Sequence, residues 1–283
     1  MERPTSTIVS FDHDTPALAR VYARRSTPQW RHGRLLLDTL ALQEGESVLD
    51  LGAGTGELAR LAADRVGPSG AVLALEPLAD RVALARSKPR NNLRFEVGGS
   101  ERLDGLPARS FDVVLLNSVF HWIADQQGVL DDMARLLKPG GRLGLSTGIA
   151  DRPHQQAMVL APVLTRHGTG TPVARLSPPH PAHPEELRRQ LLAAGFEQPR
   201  LDTHTFVDHF SDLGALLEWN ASSFFGNFPG GFSPHQTPDL WREAERALDP
   251  HRTREGIALE RYLLLVTARR AASARPAAGS IQL

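Results

Sequence analysis

Ser47-Val48-Leu49-Asp50-Leu51-Gly52-Ala53-Gly54-Thr55-Gly56-Glu57-Leu58-Ala59 is the stretch from which the rest of the chain is read. Val48, Leu49 and Leu51 form a short apolar run ending in glycines, the pattern of a buried parallel strand followed by a tight turn. Glu57 to Ala63 has helix-forming composition. The unit is therefore strand, glycine loop, helix. In open α/β sheets, ligands bind beyond the carboxyl end of such a strand. Glycines there adopt positive φ and let a ligand approach the backbone.

The spacing is G-x-G-x-G (Gly52, Gly54, Gly56), not the G-x-G-x-x-G of a dinucleotide fingerprint, and Asp50 stands two residues before the first glycine. A carboxylate there repels a pyrophosphate and welcomes a cationic cofactor. Downstream, Ala71-Val72-Leu73-Ala74-Leu75 reads as a second buried strand ending in Glu76, followed by Pro77. An acid at that place accepts hydrogen bonds from ribose hydroxyls.

The alternation continues. Leu78 to Ser87 reads as a helix and Leu93 to Val97 as the third strand. Phe111 to Asn117 is the fourth strand, Gln126 to Leu137 a helix, Lys138-Pro139-Gly140-Gly141 a turn, and Arg142 to Ser146 the fifth strand. Strands alternating with helices imply a parallel sheet with crossover helices. Before the first strand, helices are expected over Ala17 to Ser26 and Trp30 to Leu42, the second with Leu35, Leu36 and Leu40 on its apolar face. After Thr147, helices are expected over Gln155 to Leu164, Pro184 to Ala194, Ser211 to Ser223 and Asp239 to Leu248. Arg200 to Val207 and Leu259 to Ala268 read as two more strands. The residues between those strands are too many for a hairpin loop.

D-x-G-x-G-x-G with a second-strand Glu resembles the S-adenosylmethionine (SAM)-dependent methyltransferases of the Rossmann-like class. Further stretches extend the resemblance over about residues 34–147. Gly98-Gly99-Ser100-Glu101-Arg102-Leu103 is similar to the family's G-D-A-E-x-L beside adenine, with Gly99 where the family has Asp; Ser100 or Glu101 is the expected substitute contact. The fourth strand resembles the one that brings Asn117 near the sulfonium. Ser118-Val119-Phe120-His121-Trp122 resembles the x-x-x-H-W of small-molecule members of the trans-aconitate type. Arg135-Leu136-Leu137-Lys138-Pro139-Gly140-Gly141-Arg142-Leu143 is close to R-x-L-K-P-G-G-x-L.

The resemblance implies an α/β fold with a seven-stranded, mostly parallel sheet, a final antiparallel strand and helical lid insertions. The expected division is an N-terminal helical cover (1–44), a SAM-binding core (45–149), a lid insertion (150–184), a core helix and strand (185–208), an aromatic lid insertion (209–257), a final strand (258–270) and a disordered tail (271–283). It implies SAM as cofactor, held by Asp50, Gly52, Ala53, Gly54, Gly56, Glu76, Pro77, Gly99, Ser100, Glu101 and Asn117. Asp50 doubles as a cap for the following helix; for Glu76 the alternative is a solvated loop acid.

The expected function is methylation of a small molecule, a bacterial secondary metabolite, at oxygen first, at carbon second, with nitrogen as a further alternative. Transfer from a sulfonium is an in-line displacement, to which positioning contributes most. A hydroxyl or acidic carbon needs a base, and His121 is the candidate catalytic residue, as base or as substrate ligand; the alternative is that it packs under the sheet edge. A carboxylate needs no base, only Arg or His to bind it. Expected substrate contacts are Trp30, His121, Trp122, Trp219, Phe224, Phe225 and Phe228. Trp30 faces cofactor, substrate or core. The aromatic stretch from Trp219 to Phe232, with Gly226, Gly230 and Gly231, is a lid over an apolar substrate, a small helical subdomain, or the contact of a homodimer. Ile8, Val9 and Phe11 are available to fold over a ligand. Two other classes stay open: a SAM-binding protein with non-methylating chemistry such as cyclisation, and a non-catalytic binding protein.

Composition narrows the field. The 283 residues carry 32 basic and 32 acidic side chains. That balance lacks the basic excess of a nucleic-acid binder. There is no cysteine, so cysteine nucleophiles and cysteine metal sites are excluded. His154, His167, His180 and His183 read as solvated loop histidines; His180-x-x-His183 has no third ligand at fixed spacing, and no metal is expected. No apolar run approaches a membrane span, and Met1 to Ser10 has no signal-peptide core, so a soluble cytoplasmic protein is expected.

Overall fold

Val48, Leu49 and Leu51 are fully buried because strand β1 (Ser47–Leu51) is covered on both faces, the condition under which a strand reads as a continuous apolar run. In the computed structural model, which describes residues 10–167, 176–227 and 234–272, β1 pairs in parallel with β2 (Ala71–Glu76) and β4 (Phe111–Asn117). The sheet extends through β3 (Leu93–Val97) on one side and β5 (Leu137–Gly148) on the other. Two long strands, β6 (Phe196–Phe210) and β8 (Gly256–Arg270), complete the order β3-β2-β1-β4-β5-β8-β6. β8 runs antiparallel to both neighbours. The two-residue β7 (Arg252–Thr253) pairs with the start of β8 and is the one addition to the expected seven strands. Strand order reverses between β1 and β4, so their carboxyl ends open the crevice where ligands bind in such sheets.

Helices cover both faces. α2 (Thr27–Leu40) buries His32, Gly33, Leu36, Leu37 and Leu40 against β4, β5 and α3 (Glu57–Val66). Leu37 rather than Leu35 lies inward, and α2 is thereby a core helix as well as a cover. α1 (Pro16–Arg25) starts at Thr15, whose hydroxyl accepts the Leu18 N–H, and lies across α4 (Ala79–Arg86) and α8 (Leu213–Ser223). α5 (Gln126–Leu136) and α7 (Pro184–Ala193) complete the other face.

Three features depart from the sequence reading. β5 runs straight through Lys138-Pro139-Gly140-Gly141, with a bulge opposite Phe111 to Val113 and Gly140 at φ 76°, because Pro139 sits where the ladder is already irregular. β6 and β8 are each longer than expected and pair from Phe196↔Arg270 to Phe210↔Ile257. The irregularity that hid the start of β6 is a bulge around Pro199, with Gln198 at φ 50°. The third is the use of the far end of this hairpin. There Phe210, Ile257 and Leu259 join α6 (Gln155–Arg166), α8 and α9 (Pro238–Leu248) in a second apolar core with Trp219 and Phe224. The two insertions thus form one helical layer beyond the sheet. Ala271 still donates to Gly195 O; the rest of the expected tail, from residue 273, lies outside the described residues, as do Ile8 and Val9.

Candidate active site

The loop after β1 is built on glycines that nothing else can replace. Gly52 has φ 77°, and a Cβ on it would stand 2.2 Å from Val119 Cγ2. Gly54 has φ 58° and lies under the Tyr22 ring. Gly56, at φ 84°, opens α3. Gly54 N–H donates to Glu76 Oε2 at 2.8 Å, and Leu78 N–H to Glu76 Oε1 at 3.2 Å. The second-strand acid is therefore latched to the loop, each oxygen keeping acceptor capacity. Burial pushes the Glu76 carboxyl up. Asp50 is 1% exposed, and its Oδ2 has no hydrogen-bond partner among the described residues. Burial, then the neighbouring Glu76, pushes its pKa up to about 7.

Two adjoining clefts meet at this loop, sharing Tyr22, Gln29, Gly52 and Asn117. The smaller is lined by Asp50, Ala53, Thr55, Glu57 and Trp30. The larger encloses about 860 Å³ including its open mouth, with Glu76, Pro77 and Arg81 on one wall and His121, Trp122, Trp219, Phe224 and Phe225 on another. Trp122 stands edge-on to Phe224 and Phe225, at 5.3 and 5.0 Å between centroids. Trp219 Nε1–H donates to Gln29 Oε1 at 3.1 Å. Trp219 and Phe224 belong at once to the cleft wall and to the helical core. Phe11 closes the mouth against Phe225, 5.1 Å away. Phe228, Gly230, Gly231 and Phe232 lie outside the described residues.

His121 follows β4 in a short 3-10 turn and is 5% exposed. Its Nδ1 accepts the Gly148 backbone N–H at 3.1 Å, with Thr147 Oγ1 at 3.2 Å. A backbone amide only donates, so the ring proton is assigned to Nε2. Burial, then Arg261, pushes the pKa down to about 3. With Nδ1 taken up by the Gly148 N–H, the remaining ring nitrogen, Nε2, carries the hydrogen, which is the arrangement of a donor and not of the general base expected from the sequence.

Sequence reasoning missed four residues that line the same cleft. His154, expected as a solvated loop histidine, accepts Tyr262 N–H on Nδ1 at 3.3 Å, and burial pushes its pKa down to about 3. Arg261 is 5% exposed; it is held by Asp208 through Nε at 2.5 Å and Nη2 at 3.2 Å, and donates to His32 Nδ1 at 3.0 Å. His32 Nε2–H reaches Ser118 Oγ at 2.8 Å, which holds Ser118 at φ 61°. Arg81 pairs with Asp14 at 3.1 Å and lies 4.1 Å over the Tyr22 ring; it ties α4 to the N-terminal segment and, through Ser222 O at 2.7 Å, to α8. Tyr22 is the fourth; enclosure pushes its phenol up to about 12. None had a motif. His154 and Arg261 matter because of where β8 passes, and that is a tertiary fact.

Other expected residues sit elsewhere. Glu101 Oε1 accepts the Gly99 N–H at 2.6 Å, so this carboxylate is folded onto its own backbone, and Gly99, Ser100 and Glu101 line neither cleft. Asn117 lines both, but its amide is committed: Nδ2 donates to Gln29 O at 3.0 Å and Oδ1 accepts from Ser146 Oγ at 2.9 Å. His167 pairs with Glu243. Among the described residues no group of three or more His, Asp or Glu is arranged to hold a metal ion, and no helix is long and apolar enough to cross a membrane.

Comparison with known proteins accords with this geometry. A family model described as a methyltransferase domain matches residues 49–145. Nocamycin O-methyltransferase of Saccharothrix syringae is 30% identical over 264 residues, 87% of this chain and 92% of that protein. The chain belongs to the class I SAM-dependent methyltransferases. An arsenite methyltransferase of Halobacterium salinarum is 30% identical over 191 residues, 62% of this chain; the chain spans less than half of that protein's length, 46%. The YcgJ protein of Bacillus subtilis, at 19% identity, shares the fold with a TM-score of 0.56 over 85% of this chain and 99% of its own. The residues present fit the methyltransferase cofactor, SAM. The buried, unpartnered Asp50 Oδ2 calls for a cationic or hydrogen-bond-donating group, and Asp50 lines the smaller cleft together with Gly52 and Ala53.

Proposed function

We propose that this methyltransferase transfers a methyl group to an oxygen of a small, apolar, conjugated molecule of bacterial secondary metabolism. The observation that carries the proposal is that the aromatic cleft, with His121 Nε2–H as donor, opens onto the loop of Gly52 and Gly54 beside Asp50 and Glu76. In this reading Asp50 holds the amino end of SAM. Glu76 holds the ribose, with Pro77, Ala53 and the three loop glycines shaping the space. Asn117 acts indirectly, by pinning α2 beside the site. When bound, SAM supplies an electrophilic methyl on a sulfonium that leaves as a neutral thioether.

The chain's own residues do the rest. Trp122, Trp219, Phe224 and Phe225 bury the flat body of the substrate and exclude water. His121 orients the accepting oxygen. Phe11, Tyr22 and Arg81 close the N-terminal helices over the cleft, and α6, α8 and α9 form the lid on the other side. Such placement is worth several kcal/mol of the barrier. The name of the nocamycin relative supports oxygen as the acceptor.

The test is calorimetric titration with SAM, followed by incubation with trideuteromethyl-SAM and an extract of the source organism, read by mass spectrometry. A product heavier by one labelled methyl, with fragments placing it on oxygen, is expected. Label on carbon or nitrogen overturns the oxygen assignment; absence of SAM binding overturns the whole reading.

A further inference from the structure

β5 leaves β8 after the pair Gly148↔Leu263, and the backbone donors stranded at that divergence are taken by histidine rings. His121 Nδ1 accepts Gly148 N–H, and His154 Nδ1 accepts Tyr262 N–H. Gln155 Oε1 takes the next donor along β8, Glu260 N–H, at 2.8 Å, so the side chains at the start of α6 continue the sheet edge that β5 abandons. Buried N–H groups at a strand end must be paired, and this requirement dictates the tautomer of both rings. Each keeps its hydrogen on Nε2, and both rings line the larger cleft. Arg261 lines it too, and its charge opposes protonation of both rings.

Among the described residues, this wall offers donors and no acceptor for a proton. On the opposite wall, Glu76 is latched to Gly54 and Leu78, and with Asp50 is assigned to the cofactor. The Tyr22 phenol resists ionisation at neutral pH. Among the described residues, a substrate hydroxyl that entered protonated would find no group free to take its proton.

Resting on the proposed oxygen methylation, we infer that the substrate is an oxygen acid already ionised at neutral pH, a carboxylate or the enol of a 1,3-dicarbonyl, carried on an apolar conjugated body and received by the Nε2–H groups of His121 and His154. The balance is simple. An oxygen lone pair of the anion forms the oxygen–methyl bond. The methyl–sulfur bond breaks with its pair going to sulfur. The anion and the sulfonium become a neutral ester or enol ether and a neutral thioether, and no proton moves. His154 is thereby a binding residue for the same reaction, a role its loop sequence gave no sign of.

Two measurements test this on the full-length protein saturated with S-adenosylhomocysteine. Long-range proton–nitrogen NMR of the histidine rings, assigned with His121→Gln and His154→Gln, is expected to show both rings neutral with the hydrogen on Nε2 from pH 5.5 to 8.5. A hydrogen on Nδ1, or titration within that range, in either ring overturns the inference. Calorimetry with 2-naphthoate and its uncharged counterpart 2-naphthamide is expected to give at least tenfold tighter binding of the anion, with that preference cut at least fivefold in His154→Gln. Equal affinities, or no binding of either probe, overturn it. Failure of S-adenosylhomocysteine itself to bind is a separate result, which removes the methyltransferase reading as well.

Discussion

Replacing Asp50 by Asn is expected to stabilise the protein without cofactor while weakening its hold on SAM. The carboxylate is 1% exposed with Oδ2 unpartnered, and its pKa rises from 3.8 to about 7. At about 1.4 kcal/mol per tenfold change in proton affinity, the rise corresponds to about 4 kcal/mol. The sign follows from linkage. Between about pH 4 and pH 7 the folded state holds a proton that the unfolded chain has released, so the parent loses stability as pH rises through that window and the loss is complete above it. Asn carries no charge and removes this slope. Its amide stays incompletely bonded, which costs about 1–3 kcal/mol. The net gain at pH 8 is therefore about 1–3 kcal/mol, and near pH 4, where the parent carboxyl is protonated, it reverses to a loss of about 1–3 kcal/mol. Urea unfolding of both proteins at pH 4 and pH 8, without cofactor, reads it directly. SAM calorimetry on the same samples is expected to show at least tenfold weaker binding, because the buried anion that the cofactor would satisfy is gone. Asp50→Asn less stable than the parent at pH 8, with unchanged SAM affinity, would refute the reasoning: the carboxylate would then be neither strained nor part of the site.

Arg261→Met leaves the buried Asp208 with only the more distant Arg31, 3.8 Å away, and His32 without its donor; a loss of about 3–5 kcal/mol is expected in denaturant unfolding, and a loss below about 1 kcal/mol would show that Arg31 or solvent takes over. Gly33→Ala puts a methyl 2.8 Å from Asn117 Nδ2 and 3.1 Å from Leu58 Cδ1. It should destabilise by about 1–3 kcal/mol and weaken SAM binding by displacing α2; unchanged melting and affinity would mean that the helix yields freely. Arg81→Met removes the Asp14 pair and the contact with the Tyr22 ring. Limited proteolysis is expected to cut within α1 several-fold faster than in the parent, and an unchanged rate would free the N-terminal segment from Arg81.

The contrast between Asp50 and His154 shows where sequence reading stops. Asp50 was legible because its partners are its neighbours in the chain: a strand, two positions and a glycine define its place. The same holds for Gly52, Gly54, Gly56 and Glu76, which one strand–loop–helix unit and the next strand bring together. His154 stands in a loop of ordinary composition, and its surroundings are Tyr262 and Arg261, more than a hundred positions away. Arg261 itself looks like an outward-facing residue between two apolar runs until β8 is seen to extend past β5 and to carry it under α2. Glu101 is the opposite case: its motif is local, yet its carboxylate accepts the Gly99 N–H and it lines neither cleft.

By itself, then, the sequence determined the alternating sheet, the glycine loop and the acids beside it, because periodicity and turn chemistry are local and are written within a few residues; the cofactor followed from the family resemblance that these residues carry. The tertiary structure alone decided that two insertions merge into one helical layer, that α2 and the paired strands β6 and β8 are locked by Asp208, Arg261 and His32, and that His121 Nδ1 accepts a backbone N–H. The physical reason is that a histidine's tautomer is set by whichever backbone donor it must satisfy. That donor, Gly148 N–H, is placed by the parting of two strands that no local pattern records.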